Sequence, residues 1–183
     1  MPRTLILMRH AEAGNGYRDH DRPLTPAGFS DAEAAGNWLR RTLPAVDAVL
    51  CSTATRTRQT LVALGVSAST HFAEELYGGG IEDILGVIAL TPATVSTLLV
   101  IGHAPGIPAA AYELATADRM AETGPVPPAA GNDPETDEPA EAAELDGLRH
   151  FSACAIAVLQ TEGEWGELDQ IGARLQSVRH PRD

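Results

Sequence analysis

Three short apolar runs in this sequence each end in residues that could handle a phosphoryl group. Leu5 to Met8 runs into Arg9-His10, Ala48 to Cys51 is followed by Ser52 and Arg56, and Leu98 to Ile101 runs into Gly102-His103. In an open α/β sheet, ligands bind just outside the carboxyl ends of the strands. If the runs are neighbouring parallel strands, two imidazoles and two guanidiniums meet on one rim. That set suits transfer of a dianionic phosphoryl group, in which catalysis rests on positioning and on neutralising the equatorial oxygens. A guanidinium fork holds two phosphate oxygens at once and stays charged. A neutral imidazole can attack phosphorus and carry it covalently, so one histidine would attack while the other donates to the oxygens.

The elements that must position these groups are legible in the apolar spacing. Thr4 to Met8 is a continuous run, as expected for a strand covered on both faces. Thr25-Pro26 supplies a helix cap and a first-turn proline, followed by Gly28, Ala32, Ala35, Leu39 and Leu43 at helical spacing. A second helix is expected from about Thr55 to Leu64. A third begins near Pro105, with Ile107, Ala110, Ala111 and Leu114 on one face. Alternation of strands and helices implies crossover units and a largely parallel sheet. Beyond them, Phe151 to Gln160 and Trp165 to Ile171 are expected as two further strands joined by a turn. Between lies Ala121 to Gly147, with five prolines, eight acidic residues and no basic one, which reads as a mobile acidic insertion in a single domain spanning 1–183.

Composition excludes several classes of function. Of the formal charge of −12, the 121–147 segment supplies −8, and such a balance does not suit nucleic acid or an anionic membrane as partner. All 13 basic residues are Arg, so a Schiff-base lysine, a Walker lysine and a Ser-Lys dyad are impossible. No run approaches a signal core or a membrane span, and a cytoplasmic, unexported protein is expected. Cys51 and Cys154 are too few for a disulfide framework and sit in apolar runs, as core residues do. A cysteine-phosphatase loop fails by register, since the position that should be Arg is Thr57. Asp19, His20 and Asp21, with His71 elsewhere, are expected to be a solvated charged loop and a remote side chain; no metal and no cofactor are expected.

Four segments, in order, resemble the histidine phosphatase superfamily with its phosphoglycerate mutase-like fold: "LILMRHAEA", "RPLTPAGFSDA", "CSTATRTRQT" and "LLVIGHAPG". The compact length and the forms "RPLTPAG", "RQT" and "GHAPG" are similar to its SixA-like, phosphohistidine phosphatase branch. The resemblance implies a three-layer α/β sandwich with a mainly parallel central sheet and an antiparallel edge. It makes His10 the phosphorylated nucleophile and Arg9, Arg56 and His103 the phosphate pocket. Arg22 would anchor its loop or orient substrate, Asn15 stands where the family places an asparagine, and Ser52 and Thr60 would support the second helix. Ala11 replaces the usual glycine, and Ala104 a frequent polar residue. The candidate general acids are Glu75 and Glu82, provided the turn "LYGGG" folds over the site. Without a strong acid, an N-phosphorylated substrate is favoured, because a phosphoramidate nitrogen leaves with less help than an alkoxide. The implied partner is a phosphohistidine protein or a small phosphate ester. A small-molecule phosphomonoesterase or mutase of the same superfamily, or a phosphate-binding module without turnover, is the alternative, and the oligomeric state is open.

Overall fold

The N-terminal run forms β1 (Arg3–Arg9), in which Thr4 to Met8 are all buried. The computed structural model describes residues 2–123 and 145–181. The remaining strands are β2 (Ala48–Ser52), β3 (Ser69–Ala73), β4 (Thr97–Gly102), β5 (Ile156–Thr161) and β6 (Arg174–Arg179), in the order β3-β2-β4-β1-β5-β6. The first four of that order are parallel; β5 runs antiparallel to β1, and β6 antiparallel to β5. This is the expected mainly parallel sheet with an antiparallel edge. β1 lies between β4 and β5, so its carboxyl end is held from both sides.

Helices cover both faces. Helices α1 (Pro26–Thr42) and α2 (Thr55–Leu64) pack on one face, against Ile6, Met8, Val49, Cys51, Leu99 and Ile101. After α3 (Glu75–Gly78), helices α4 (Ile81–Ala89) and α5 (Gly106–Thr123) cover the other face over Leu5, Leu7, Leu98 and Val100. Successive residues of β1 and β4 therefore serve opposite cores, which is why these strands are apolar without alternation. Each such aliphatic side chain contributes roughly 1.5–3 kcal/mol on burial.

The C-terminal part departs from expectation in two places. Trp165 to Ile171 is not a strand but a 3-10 turn (Trp165–Glu167) running into α6 (Leu168–Ile171). Buried Trp165 and Leu168 are three apart, a helical spacing, and Gly172 at φ 70° ends the helix. The strand comes later, as β6. Phe151 to Ala155 is likewise not part of β5, because Cys154 adopts φ 66° and breaks the extended backbone. Of the acidic segment, residues 121–123 belong to α5, residues 145–147 open a helical turn, and 124–144 lie outside the described residues. Among the described residues no helix is long and apolar enough to cross a membrane.

One glycine docks α1 against the chain that follows β1. The Thr25 hydroxyl accepts from the Gly28 N–H at 3.0 Å and donates to Glu12 Oε1 at 2.8 Å. The Glu12 carbonyl accepts from the Thr25 N–H at 2.9 Å. A Cβ on Gly28 would stand 2.2 Å from that carbonyl oxygen. Gly28→Ala must therefore push α1 away from the segment behind His10. A loss of about 3 kcal/mol is expected in chemical denaturation, as for an overpacked core; an unchanged midpoint would show that the contact is dispensable.

Candidate functional site

β1, β2 and β4 end on the same rim, and their last residues bring the predicted groups together. The Arg9-His10 backbone is clamped there. His10 N donates to the Gly102 carbonyl at 3.0 Å, Arg9 N to the Ala155 carbonyl at 3.1 Å, and Cys154 N to the His10 carbonyl at 2.9 Å. Cys154 makes its bond from the left-handed region, the one non-glycine among the described residues to do so. Such strain persists where surrounding structure enforces it, often at functional sites. Ala11 needs no positive φ, so it fills the usual glycine position without cost there, fully buried and with its N–H donating to the Thr60 hydroxyl at 3.1 Å.

Hydrogen bonding fixes the tautomer of His10. Its Nδ1 lies 2.7 Å from the Ala11 carbonyl oxygen, which can only accept, so Nδ1 carries the proton and Nε2 keeps its lone pair. The Arg56 Nε stands 3.3 Å from that Nε2. The His103 ring centre is 5.1 Å from that of His10, and its Nε2 lies 2.8 Å from the Ser52 hydroxyl. Ser52 therefore orients the second histidine, and α2 begins without a side-chain cap. Thr60 does support α2, donating to the Arg56 carbonyl at 2.7 Å.

Both imidazoles are held neutral. Burial pushes His10 down to about 4, and the guanidiniums of Arg56, Arg9 and Arg22 act in the same direction against the bond to Ala11. His103 is pushed down to about 3, first by burial and then by His10 and Arg56. Burial also lowers Arg9 from its ordinary value. Arg9 donates to the Phe151 carbonyl at 2.9 Å, which leaves its buried Nε without a partner among the described residues.

Arg56, only 6% exposed, is gripped by Asp19, from the loop expected to be solvated. It donates to the Asp19 carbonyl at 2.6 Å and to Asp19 Oδ2 at 3.0 Å. Arg22 donates to Asp19 Oδ1 at 3.1 Å and to the Gly14 carbonyl at 2.8 Å, the loop-anchoring role of its two alternatives. The Tyr77 hydroxyl donates to Asp19 Oδ2 at 2.8 Å, while its ring stands edge-on to His103 at 5.5 Å and to His20 at 5.0 Å. His20 meets the Thr53 hydroxyl at 3.1 Å, and that hydroxyl donates to Glu74 at 2.5 Å. Asp19 and His20 thus turn to different neighbours.

The structure does not bring the other candidates to the cleft. Asn15 is exposed in the loop after β1. Glu75 lines a groove with Asp47 and His71, and Glu82 one with Trp165 and Asp169. The slot beside His103 is lined instead by Leu76, Tyr77 and the glycines 78–80. Glu75 and Tyr77 are two residues apart on α3, so their side chains leave it in nearly opposite directions. Asp19 carried one signal in the sequence, a carboxylate three residues before Arg22; Tyr77 carried none.

Comparison with known proteins gives the same picture over a longer stretch. Residues 5–76 match the model of the histidine phosphatase superfamily (branch 1). A solved structure from Nakamurella multipartitia, named a candidate phosphohistidine phosphatase SixA, superposes with TM-score 0.88 at 51% identity, covering all of this chain and 98% of that one. An uncharacterized Mycobacterium tuberculosis protein is 41% identical over 177 residues, 96% of this chain and the whole of the relative. The phosphohistidine phosphatase SixA of Escherichia coli is 32% identical over 108 residues, 55% of this chain and 67% of that protein. With two imidazoles and two guanidiniums gathered on one rim of this sheet, and with relatives of that identity and coverage, the chain belongs to branch 1 of the histidine phosphatase superfamily.

Proposed function

We propose that the chain is a metal-independent phosphatase acting on phosphohistidine in a protein, through a phosphohistidine at its own His10. The observation that carries this reading is the state of His10: Nδ1–H tied to Ala11 at 2.7 Å, with a lone pair on Nε2 facing the Arg56 Nε. That lone pair attacks phosphorus, the bond to the leaving nitrogen breaks, and its electron pair departs with the leaving group. Arg9, Arg56 and His103 hold the phosphoryl oxygens, and water then hydrolyses the intermediate. The choice of an N-phosphorylated substrate is supported by the carboxylates present. Asp19 is held ionised, well below the ordinary carboxylate range, by the Tyr77 hydroxyl and by Arg22 and Arg56, so it is no proton donor. Glu75 and Glu82 stand in other grooves. The two buried free cysteines, Cys51 and Cys154, fit a single domain working in the reducing cytoplasm.

With a labelled phosphodonor, the wild type should take up a transient, acid-labile label that His10→Ala does not, and turnover should fall by on the order of 10³-fold or more. Full activity in His10→Ala would end this assignment. A panel of phosphohistidine protein, sugar phosphates and an aryl phosphate should show preference for the first; a sugar phosphate turned over fastest would move the chain to the small-ester branch.

The neutrality of the nucleophile has its own test. In an NMR titration the His10 ring should protonate near pH 4, against 6.5 for an ordinary imidazole. Between those values the unfolded chain binds protons that the native protein refuses, so stability should fall as pH drops from 6.5 toward 4. His10→Ala should make that part of the curve shallower, leaving the slope that His103, pushed down to about 3, contributes over the same range. A midpoint near 6.5 would mean that burial does not keep the ring neutral.

A further inference from the structure

A phosphorylated imidazole leaves as a neutral ring only if its second nitrogen keeps its proton through the transfer. The chain meets the same requirement on its own side of the exchange, where the Ala11 carbonyl holds the Nδ1 proton of His10 at 2.7 Å. The opposite side needs an acceptor too. We propose that the Asp19 carboxylate accepts the second ring N–H of the substrate imidazole, and so selects N-phosphorylated histidine over oxygen esters. This rests on the reaction given under Proposed function. In the step, the His10 Nε2–P bond forms and the substrate P–N bond breaks. The electron pair goes to the leaving nitrogen, and the ring departs neutral with its N–H proton still shared with Asp19.

Three observations place Asp19 for this. First, a single guanidinium touches both partners: Arg56 stands 3.3 Å from His10 Nε2 through Nε and 3.0 Å from Asp19 Oδ2 through its terminal nitrogen. Arg56 therefore bridges the carboxylate and the nucleophile. Second, it has capacity and access. Oδ2 accepts from Arg56 and Tyr77 and Oδ1 from Arg22, and a carboxylate has about four acceptor sites, so one remains on Oδ1; the side chain is 57% exposed. Third, the neighbouring walls suit a flat ring. Tyr77, whose hydroxyl donates to Asp19 Oδ2 at 2.8 Å, sets its ring edge-on to His103 and to His20. The charged and titratable groups that bear on the carboxylate are Arg56 from α2, Arg22 from the loop before α1 and Tyr77 from α3, all three favouring its ionised form, together with the neutral His103 after β4.

The test compares phosphohistidine with p-nitrophenyl phosphate, whose leaving group needs no proton, in wild type and Asp19→Asn. The ratio of kcat/KM for the two substrates should fall at least about tenfold, as expected for loss of a charged hydrogen bond. For phosphohistidine, the alkaline limb of kcat should move to lower pH, because the bound ring loses the anion that keeps it protonated. If Asp19 only holds Arg56 in place, both substrates lose activity in the same proportion and the limb stays put, which overturns the proposal. Wild-type enzyme that hydrolyses the aryl ester but not phosphohistidine would overturn the proposed reaction itself, and this inference with it.

Discussion

Positive charge has to be packed around an imidazole that must stay uncharged, and the rest of the site follows from how that is done. Arg9, Arg22 and Arg56 all lower the proton affinity of His10. They would also repel one another and lose hydration. Each is met by a backbone oxygen: Phe151 for Arg9, Gly14 for Arg22 and Asp19 for Arg56. The carbonyl dipoles replace water without adding net charge, and among the described residues Asp19 is the carboxylate hydrogen-bonded to these guanidiniums. The guanidinium is suited to this, because its rigid fork can bond to a loop with one nitrogen and face the cleft with another, which a compact ammonium on a flexible stem does less well. A chain with 13 Arg and no lysine is consistent with that division of labour.

The proposed nucleophile, His10, has to be held in place, and the end of β1 holds it. Strands on both sides and helices on both faces leave Thr4 to Met8 buried, and the three backbone bonds at Arg9 and His10 continue that rigidity past the strand end. α2 carries polar groups beside and behind the histidines, since Arg56, Thr57 and Thr60 are buried although all are polar. Thr57 donates to the Ser52 carbonyl at 2.8 Å, and Ser52 in turn holds His103. α2 thus trades apolar packing on that face for hydrogen bonds that reach both histidines. A buried hydroxyl left without its partner would cost about 1–3 kcal/mol, so these links constrain one another.

Legibility in the sequence tracked the depth of burial. β1, β2 and β4 were readable because both faces are covered and the apolar runs are unbroken, and α1 because cap, proline and spacing agree. β3 was not, since only Ala73 of its five residues is buried and an edge strand need not be apolar. α4 does carry a helical pattern in Ile81, Ile84, Leu85 and Ile88, but it follows three glycines whose turn dominates the local signal. His10, Arg9, Arg56 and His103 are legible as candidates because each lies at or just beyond a strand end. Asp19 and Tyr77 reach the cleft from loop and short-helix positions, and their roles depend on which long-range neighbours they meet. Local spacing holds no record of a bond between residues 58 apart.

The charge pattern bears on how substrate is recognised. The chain carries −12 overall, with −8 of it in residues 121–147, so an approaching phosphoryl group gains no long-range attraction from the whole. Screening, with a Debye length of about 8 Å at physiological salt, makes that penalty small at a distance and leaves contact interactions intact. Inside the cleft the balance reverses, with three guanidiniums against one carboxylate. Discrimination therefore has to come from groups within hydrogen-bond reach of the substrate. A substrate that presents a dianion to Arg9 and Arg56 and a ring N–H on the opposite side matches both signs of that short-range field, whereas a simple ester matches only one.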